Sequence, residues 1–226
     1  TKFGLAVDEL YADEAVIVPE LLHKLPFKVF AASSIDALIH SVESYLSPKA
    51  SRISRMFSVE AMTMILNGYK KIASEGKDSL IGLLPDFCLA STLAGIAFGN
   101  AGCAAVHAMS YPLGAEFHIP HGESNYAMFT GVFKKYMEIN PDGAIKELNR
   151  LMADILGCEV SVIYDEIEKL LNTAILQKKS LSEYGMSREQ IETFTDSVIA
   201  NQQRLLGNNY VPLDRSDLID IYTKLY

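Results

Sequence analysis

Five histidines, His23, His40, His107, His118 and His121, together with the carboxylate of Asp36, are side chains in this 226-residue chain suited to gripping a divalent ion. His107, His118 and His121 fall close together in a stretch marked by glycine and proline. His40 follows Asp36 by four positions, so on a helix the carboxylate and the imidazole lie one turn apart on one face. Such a pair can share one ion, which then needs ligands from elsewhere. His107, in the apolar run Ala104-Ala-Val-His-Ala-Met, is the natural third, and His121, beyond a turn, the fourth. One carboxylate and three imidazoles suit Fe(II) or Zn(II), and a set without thiolates is unlike a closed structural zinc site. Residue type and spacing leave a second reading open. An Asp-x-x-x-His pair also occurs as a surface hydrogen bond, and a histidine on an apolar helix also serves as a satisfied core residue.

The elements that must position these residues read as helices. Strand character is confined to the lead-in, where Glu14-Ala-Val-Ile-Val-Pro and Phe27-Lys-Val-Phe-Ala are short β-branched or aromatic runs beside prolines. From Ser34 onward Ile35, Leu38, Ile39, Val42 and Tyr45 recur at helical spacing, with Ser33 or Ser34 as the cap. Pro48 marks a break. Further helices are expected over about 51–72 and about 79–99, the latter so apolar that it belongs at the centre of a bundle. Gly95, Gly99 and Gly102 then bend the chain or bring backbones together. Pro112, Gly114, Pro120 and Gly122 punctuate the next stretch, so His121 sits in a turn that opens a helix. Asn140-Pro141 reads as a helix start, Ser187-Arg-Glu-Gln190 as a capping box, and Asp214 or Ser216 as the start of a last helix. The expected class is all-α, a multihelical metal-binding domain with a short β-containing N-terminal lead-in.

Composition narrows the partners. The net charge of −8 argues against nucleic acid, whose phosphates call for a basic face. Cys88, Cys103 and Cys158 fit neither a disulfide framework nor a zinc cluster and suit a reducing cytoplasm. No apolar run is expected to reach the length of a membrane span, since Ser91, Asn100 and several glycines break the longest. The opening Thr-Lys-Phe-Gly-Leu lacks the form of a signal peptide. The expected protein is cytoplasmic, binds neither nucleic acid nor membrane, and leaves assembly into a homo-oligomer open.

Two longer stretches sharpen the reading. Ser33-Ser-Ile-Asp-Ala-Leu-Ile-His-Ser-Val-Glu-Ser-Tyr-Leu and Gly99-Asn-Ala-Gly-Cys-Ala-Ala-Val-His-Ala-Met-Ser-Tyr-Pro-Leu-Gly-Ala-Glu-Phe-His-Ile-Pro-His-Gly-Glu resemble the two signatures of the iron-containing alcohol dehydrogenase family. In that family an Asp-x-x-x-His pair, a further His and a His-Gly bind the catalytic metal, which implies Asp36, His40, His107 and His121 as ligands here. Within the family, Val106-His-Ala-Met-Ser-Tyr-Pro-Leu-Gly and Pro120-His-Gly-Glu are similar to the 4-hydroxybutyrate dehydrogenase branch. Many members carry a histidine four residues after the third ligand, where this chain has Tyr111, and His118 stands where many have another residue. Tyr111 and His118 are therefore the candidates for passing the hydroxyl proton to solvent.

The resemblance implies an NAD- or NADP-linked, metal-dependent dehydrogenase of a small alcohol or aldehyde, interconverting 4-hydroxybutyrate and succinate semialdehyde. Another small alcohol is the nearest alternative. No Gly-x-Gly-x-x-Gly fingerprint and no alternating strand–helix units occur, so the dinucleotide would be held mainly by a preceding α/β domain. Residues 1–30 are then the exit from that domain, and 31–226 form the helical metal-binding domain. Two other readings are a metal-dependent hydrolase, with Glu43 or Glu123 as base, and a non-catalytic metal-stabilised module.

Overall fold

A computed structural model describes residues 7–10 and 12–226 and is helical nearly throughout. The opening Thr1–Leu5 stretch lies outside the described residues. Ten α-helices occur among the described residues: α1 (Phe27–Leu46), α2 (Arg52–Glu75), α3 (Leu80–Ala101), α4 (Ala105–Glu116), α5 (His121–Ile139), α6 (Ala144–Leu156), α7 (Ile163–Ala174), α8 (Glu189–Asn201), the short α9 (Gln203–Leu206) and α10 (Arg215–Leu225). The first three pack on one another, α5 lies against α1 and α4, and α8 and α10 close the far side. The expected all-α class holds.

The β-containing lead-in does not. No strand occurs among the described residues, and Glu14–Val18 has no regular structure. A strand needs a partner for its N–H and C=O groups, and Val16 here is 78% exposed. The Phe27–Ala31 run instead forms the first turns of α1, seven residues before the expected start at Ser34. Pro26 caps it, its carbonyl accepting from the N–H groups of Val29 (2.9 Å) and Phe30 (3.1 Å). Phe30 is buried edge-on against Phe87, ring centroids 4.7 Å apart. Burying such a ring gains about 2 kcal/mol, more than the roughly 1 kcal/mol span of strand preferences. Ser34, expected as a cap, lies inside the helix, where it donates to the Ala31 carbonyl and accepts from the Tyr69 hydroxyl at 2.9 Å.

Other boundaries follow local chemistry. Ser51 caps α2 in a reciprocal capping box with Ser54, and Asp214 does the same for α10 with Asp217. Ser187 and Gln190 make half of the expected box, the Ser187 N–H donating to Gln190 Oε1 at 2.8 Å. Asn140-Pro141 does not start a helix; α6 begins after Gly143, whose φ of 71° turns the chain first. Pro112 does not interrupt α4. Helix α3 is not central, because Ile81, Leu89 and Ile96 on one side are exposed. With its preceding turn, Lys77–Ala101 is long and apolar enough to cross a membrane, with mean hydropathy 1.7, contrary to the expectation that no run would reach that length. Ser91, Asn100 and the glycines are too few to lower that mean. In this fold the other face of α3 packs on α1 and α2.

Candidate metal centre

Three helices converge to build the site. Helix α1 carries Asp36 and His40, α4 carries His107 in its first turn, and α5 opens with His121. The close approach of α5 to α1 depends on Gly122: a Cβ there would meet the Ala32 carbonyl oxygen at 1.9 Å. That contact sets His121 over Asp36. Gly102, with φ of 81°, turns the chain from α3 into α4, and the Asn208 amide fixes the turn by donating to the Cys103 carbonyl at 2.9 Å.

The four expected residues come together around one carboxylate. Asp36 Oδ1 lies 3.6 Å from His107 Nε2 and 3.8 Å from His121 Nε2, and Oδ2 lies 3.9 Å from His40 Nε2. Ligands about 2.1 Å from a shared ion stand roughly 3.4 Å apart in tetrahedral geometry, so the spacing is close to that of a ligand set. Asp36, His107 and His121 offer ligand atoms within 4.8 Å of one another. His40 belongs to a second such group, with Cys103 and His107. His107 belongs to both groups, and one of its nitrogens is already engaged elsewhere.

That engagement is with Glu43. The carboxylate is buried one helical face away on α1 and lies 2.6 Å from His107 Nδ1. It also accepts from the backbone N–H groups of Val106 (2.7 Å) and Ala104 (3.1 Å) at the start of α4. Glu43 therefore takes the Nδ1 proton of His107 in a hydrogen bond and turns Nε2 toward Asp36, as second-layer carboxylates do for metal-ligating histidines. His107 Nε2 is buried and meets no hydrogen-bond partner. A buried nitrogen without a partner is costly, and a cation would satisfy it. Asn125, one turn beyond His121 on α5, holds the other side: its amide donates to Asp36 Oδ1 at 2.6 Å, lies 3.2 Å from His121 Nε2, and accepts from Ser110.

The electrostatics fit a cation. Burial opposes ionisation of Asp36, but the close approach of His107 and the electrostatic pull of the neighbouring histidines hold its carboxyl well below the usual range. His40 is pushed down to about 3 by burial and by neighbouring His107, against the pull of Asp36, so its lone pair is available. Its ring lies between Phe98 (centroids 4.1 Å) and His107 (4.7 Å). For His107, burial works against a charge, yet Cys103 and Glu43 outweigh it and raise its pKa. A proton and a divalent ion compete for that nitrogen.

Glu43 and Asn125 were not expected in these roles. Asn125 lies four residues after His121 on α5, and Glu43 seven after Asp36 on α1. Tyr111 is half-buried with its ring 5.9 Å from that of His121, and burial raises its hydroxyl pKa. His118 lies exposed in the loop between α4 and α5, with φ of 54°, outside the residues lining the cleft. The second carboxylate considered as a base, Glu123, is buried and accepts from the Tyr184 hydroxyl at 3.2 Å. A cleft of about 880 Å³ opens onto Asp36, His40 and His121, with Phe98, Gly95 and Val29 among its walls.

Residues 30–226 match the family described as Fe-containing alcohol dehydrogenase, C-terminal. The chain is 54% identical over 226 residues to a 4-hydroxybutyrate dehydrogenase of Clostridium kluyveri, covering all of this chain and 61% of that protein. It is 35% identical to long-chain-alcohol dehydrogenase 1 of Geobacillus thermodenitrificans, covering 98% and 56% of the two. Among solved structures, a 1,3-propanediol oxidoreductase superposes with a TM-score of 0.79 at 24% identity, over 92% of this chain and 54% of that one. An alcohol dehydrogenase from an archaeal halo-thermophile of a Red Sea brine pool superposes at 0.81 and 20% identity. The chain thus spans little more than half the length of the proteins it matches.

Proposed function

The chain belongs to the Fe-containing alcohol dehydrogenase family, and from that premise we propose that Asp36, His40, His107 and His121 hold a divalent ion, Fe(II) or Zn(II), at the active site of a nicotinamide-linked alcohol dehydrogenase. The observation that carries this reading is the buried, partnerless Nε2 of His107, aimed at Asp36 with its other nitrogen committed to Glu43. A divalent ion in that set supplies Lewis acidity toward an alcohol or carbonyl oxygen. The chain's own residues do the rest: Glu43 fixes the tautomer of His107, Asn125 orients Asp36, and Phe98 stacks on His40. Tyr111 is the group beside His121 best placed to pass a hydroxyl proton outward, and His118 the more remote candidate. Glu43 is committed to His107 and two backbone N–H groups, and Glu123 is buried against Tyr184, which weighs against the hydrolase reading.

The substrate proposed is 4-hydroxybutyrate, interconverted with succinate semialdehyde, on the strength of the 54% identity to a protein of that name. NAD or NADP would accept the hydride, held mainly by a nucleotide-binding domain outside this chain. Residues 1–30 would be the exit from that domain, a reading supported by the family match over residues 30–226. The test is the full-length protein assayed for NAD- and NADP-linked oxidation of 4-hydroxybutyrate and 1-butanol, before and after metal removal. Turnover that survives complete metal removal sinks the metal role; turnover of 1-butanol alone sinks the substrate.

A further inference from the structure

We propose that Lys28 is the residue that recognises the anionic end of the substrate, pairing with a carboxylate borne one short carbon chain away from the reacting oxygen. This rests on the reading of the cleft as a dehydrogenase site. Lys28 is the one lysine or arginine among the cleft's lining residues. It stands on α1 in register with the site, because Lys28, Ala32, Asp36 and His40 succeed one another at four-residue steps along one stripe of the helix. Among the described residues no ion pair involves Lys28, which is exposed at the cleft. Lys28 and Asp36 are eight residues apart, about 12 Å along the axis. A four-carbon ω-hydroxy acid reaches about 6 Å from hydroxyl to carboxylate, and the two side chains span the remainder. Between them the cleft wall carries the small side chain of Ala32, with Ser33 and Ser91 adding hydroxyls to the lining. An acid is therefore held at both ends, whereas a simple alcohol is held at one.

The test compares Lys28→Met and Lys28→Arg with the unaltered full-length enzyme. A charge-assisted hydrogen bond is worth about 1.5–3 kcal/mol, so Lys28→Met should lower the ratio of kcat/KM for 4-hydroxybutyrate to that for 1-butanol by about 10- to 100-fold. Lys28→Arg should restore most of it. The Kd of 4-hydroxybutyrate on the enzyme, measured by titration calorimetry without turnover, should rise by the same factor. Arg204, which approaches Tyr111 from outside the cleft, supplies the control, and Arg204→Met should leave the ratio alone. An unchanged ratio in Lys28→Met overturns the proposal. So does a rise in KM for the nicotinamide without a change in ratio, which would put the lysine on a cofactor phosphate. If the unaltered enzyme oxidises 1-butanol and not 4-hydroxybutyrate, the substrate reading has failed and this one with it. If it oxidises the acid and the lysine is indifferent, only the lysine assignment has failed.

Discussion

The floor of the site and its rim are built to different standards. On the floor, His107 has a side chain 3% exposed, one nitrogen fixed by a buried carboxylate, and that carboxylate fixed by two backbone N–H groups. At the rim, His121 has a side chain 39% exposed and is steadied by Asn125 at 3.2 Å. Rigid placement thus comes from α1 and α4, while α5 brings the last imidazole to a face open to the cleft. The difference teaches that the floor serves both stability and binding, whereas the rim serves binding. Substitutions in the two regions should therefore separate the two properties.

The largest effect is expected on the floor. His107→Ala should abolish the metal and drop turnover at least 1000-fold, and should also destabilise the ion-free protein by about 3 kcal/mol, because it strips a buried carboxylate of its partner. Metal analysis and chemical denaturation check both halves. His121→Ala should lose the metal equally but cost less than about 1 kcal/mol in the ion-free protein. Equal destabilisation by the two would break the comparison. Glu43→Gln should come next, weakening metal affinity about 10- to 100-fold while leaving every ligand in place, as read by competition with a chelator. His118→Ala is the smallest in activity, with kcat expected within about twofold of the unaltered enzyme, and His118→Gly should raise stability by up to about 1 kcal/mol by relieving the positive φ.

A half-buried pair outside the site sharpens the contrast through pH. Lys178 sits 2.5 Å from Glu168, which also accepts from Thr130. Burial would raise the Glu168 pKa, yet Lys178 and Thr130 outweigh it and hold the carboxyl below its usual range. A depressed folded value adds stability above the ordinary carboxylate pKa, and this is lost as pH falls through the folded value. Lys178→Met should flatten the acid limb of the stability curve below about pH 4.5, measured by thermal melts, with no change in metal content.

The four residues proposed as ligands stood out because their stretches resemble the family's signatures, in which the i, i+4 pair and the His-Gly are local patterns. Their two supports stood out less. Glu43 touches His107 across 64 positions and Asn125 touches Asp36 across 89, and such contacts leave no mark in a window of sequence. The first turns of α1 were misread because Phe27-Lys-Val-Phe has strand composition, and only the packing of Phe30 on Phe87 decides for helix. Helix α3 was placed at the centre because apolar content alone does not reveal which face is covered. Lys28 was one of 20 basic residues until the fold put it on the cleft wall.

The central claim is that one divalent ion sits between Asp36, His107 and His121, with His40 beside them. It is tested most directly by anomalous diffraction at the metal edge from crystals of the full-length protein grown with Fe(II) or Zn(II). The account predicts a single peak within about 2.0–2.3 Å of Asp36 Oδ and the Nε2 atoms of His107 and His121, absent in His121→Ala. A peak lying elsewhere, or one that persists unmoved in His121→Ala, would contradict it.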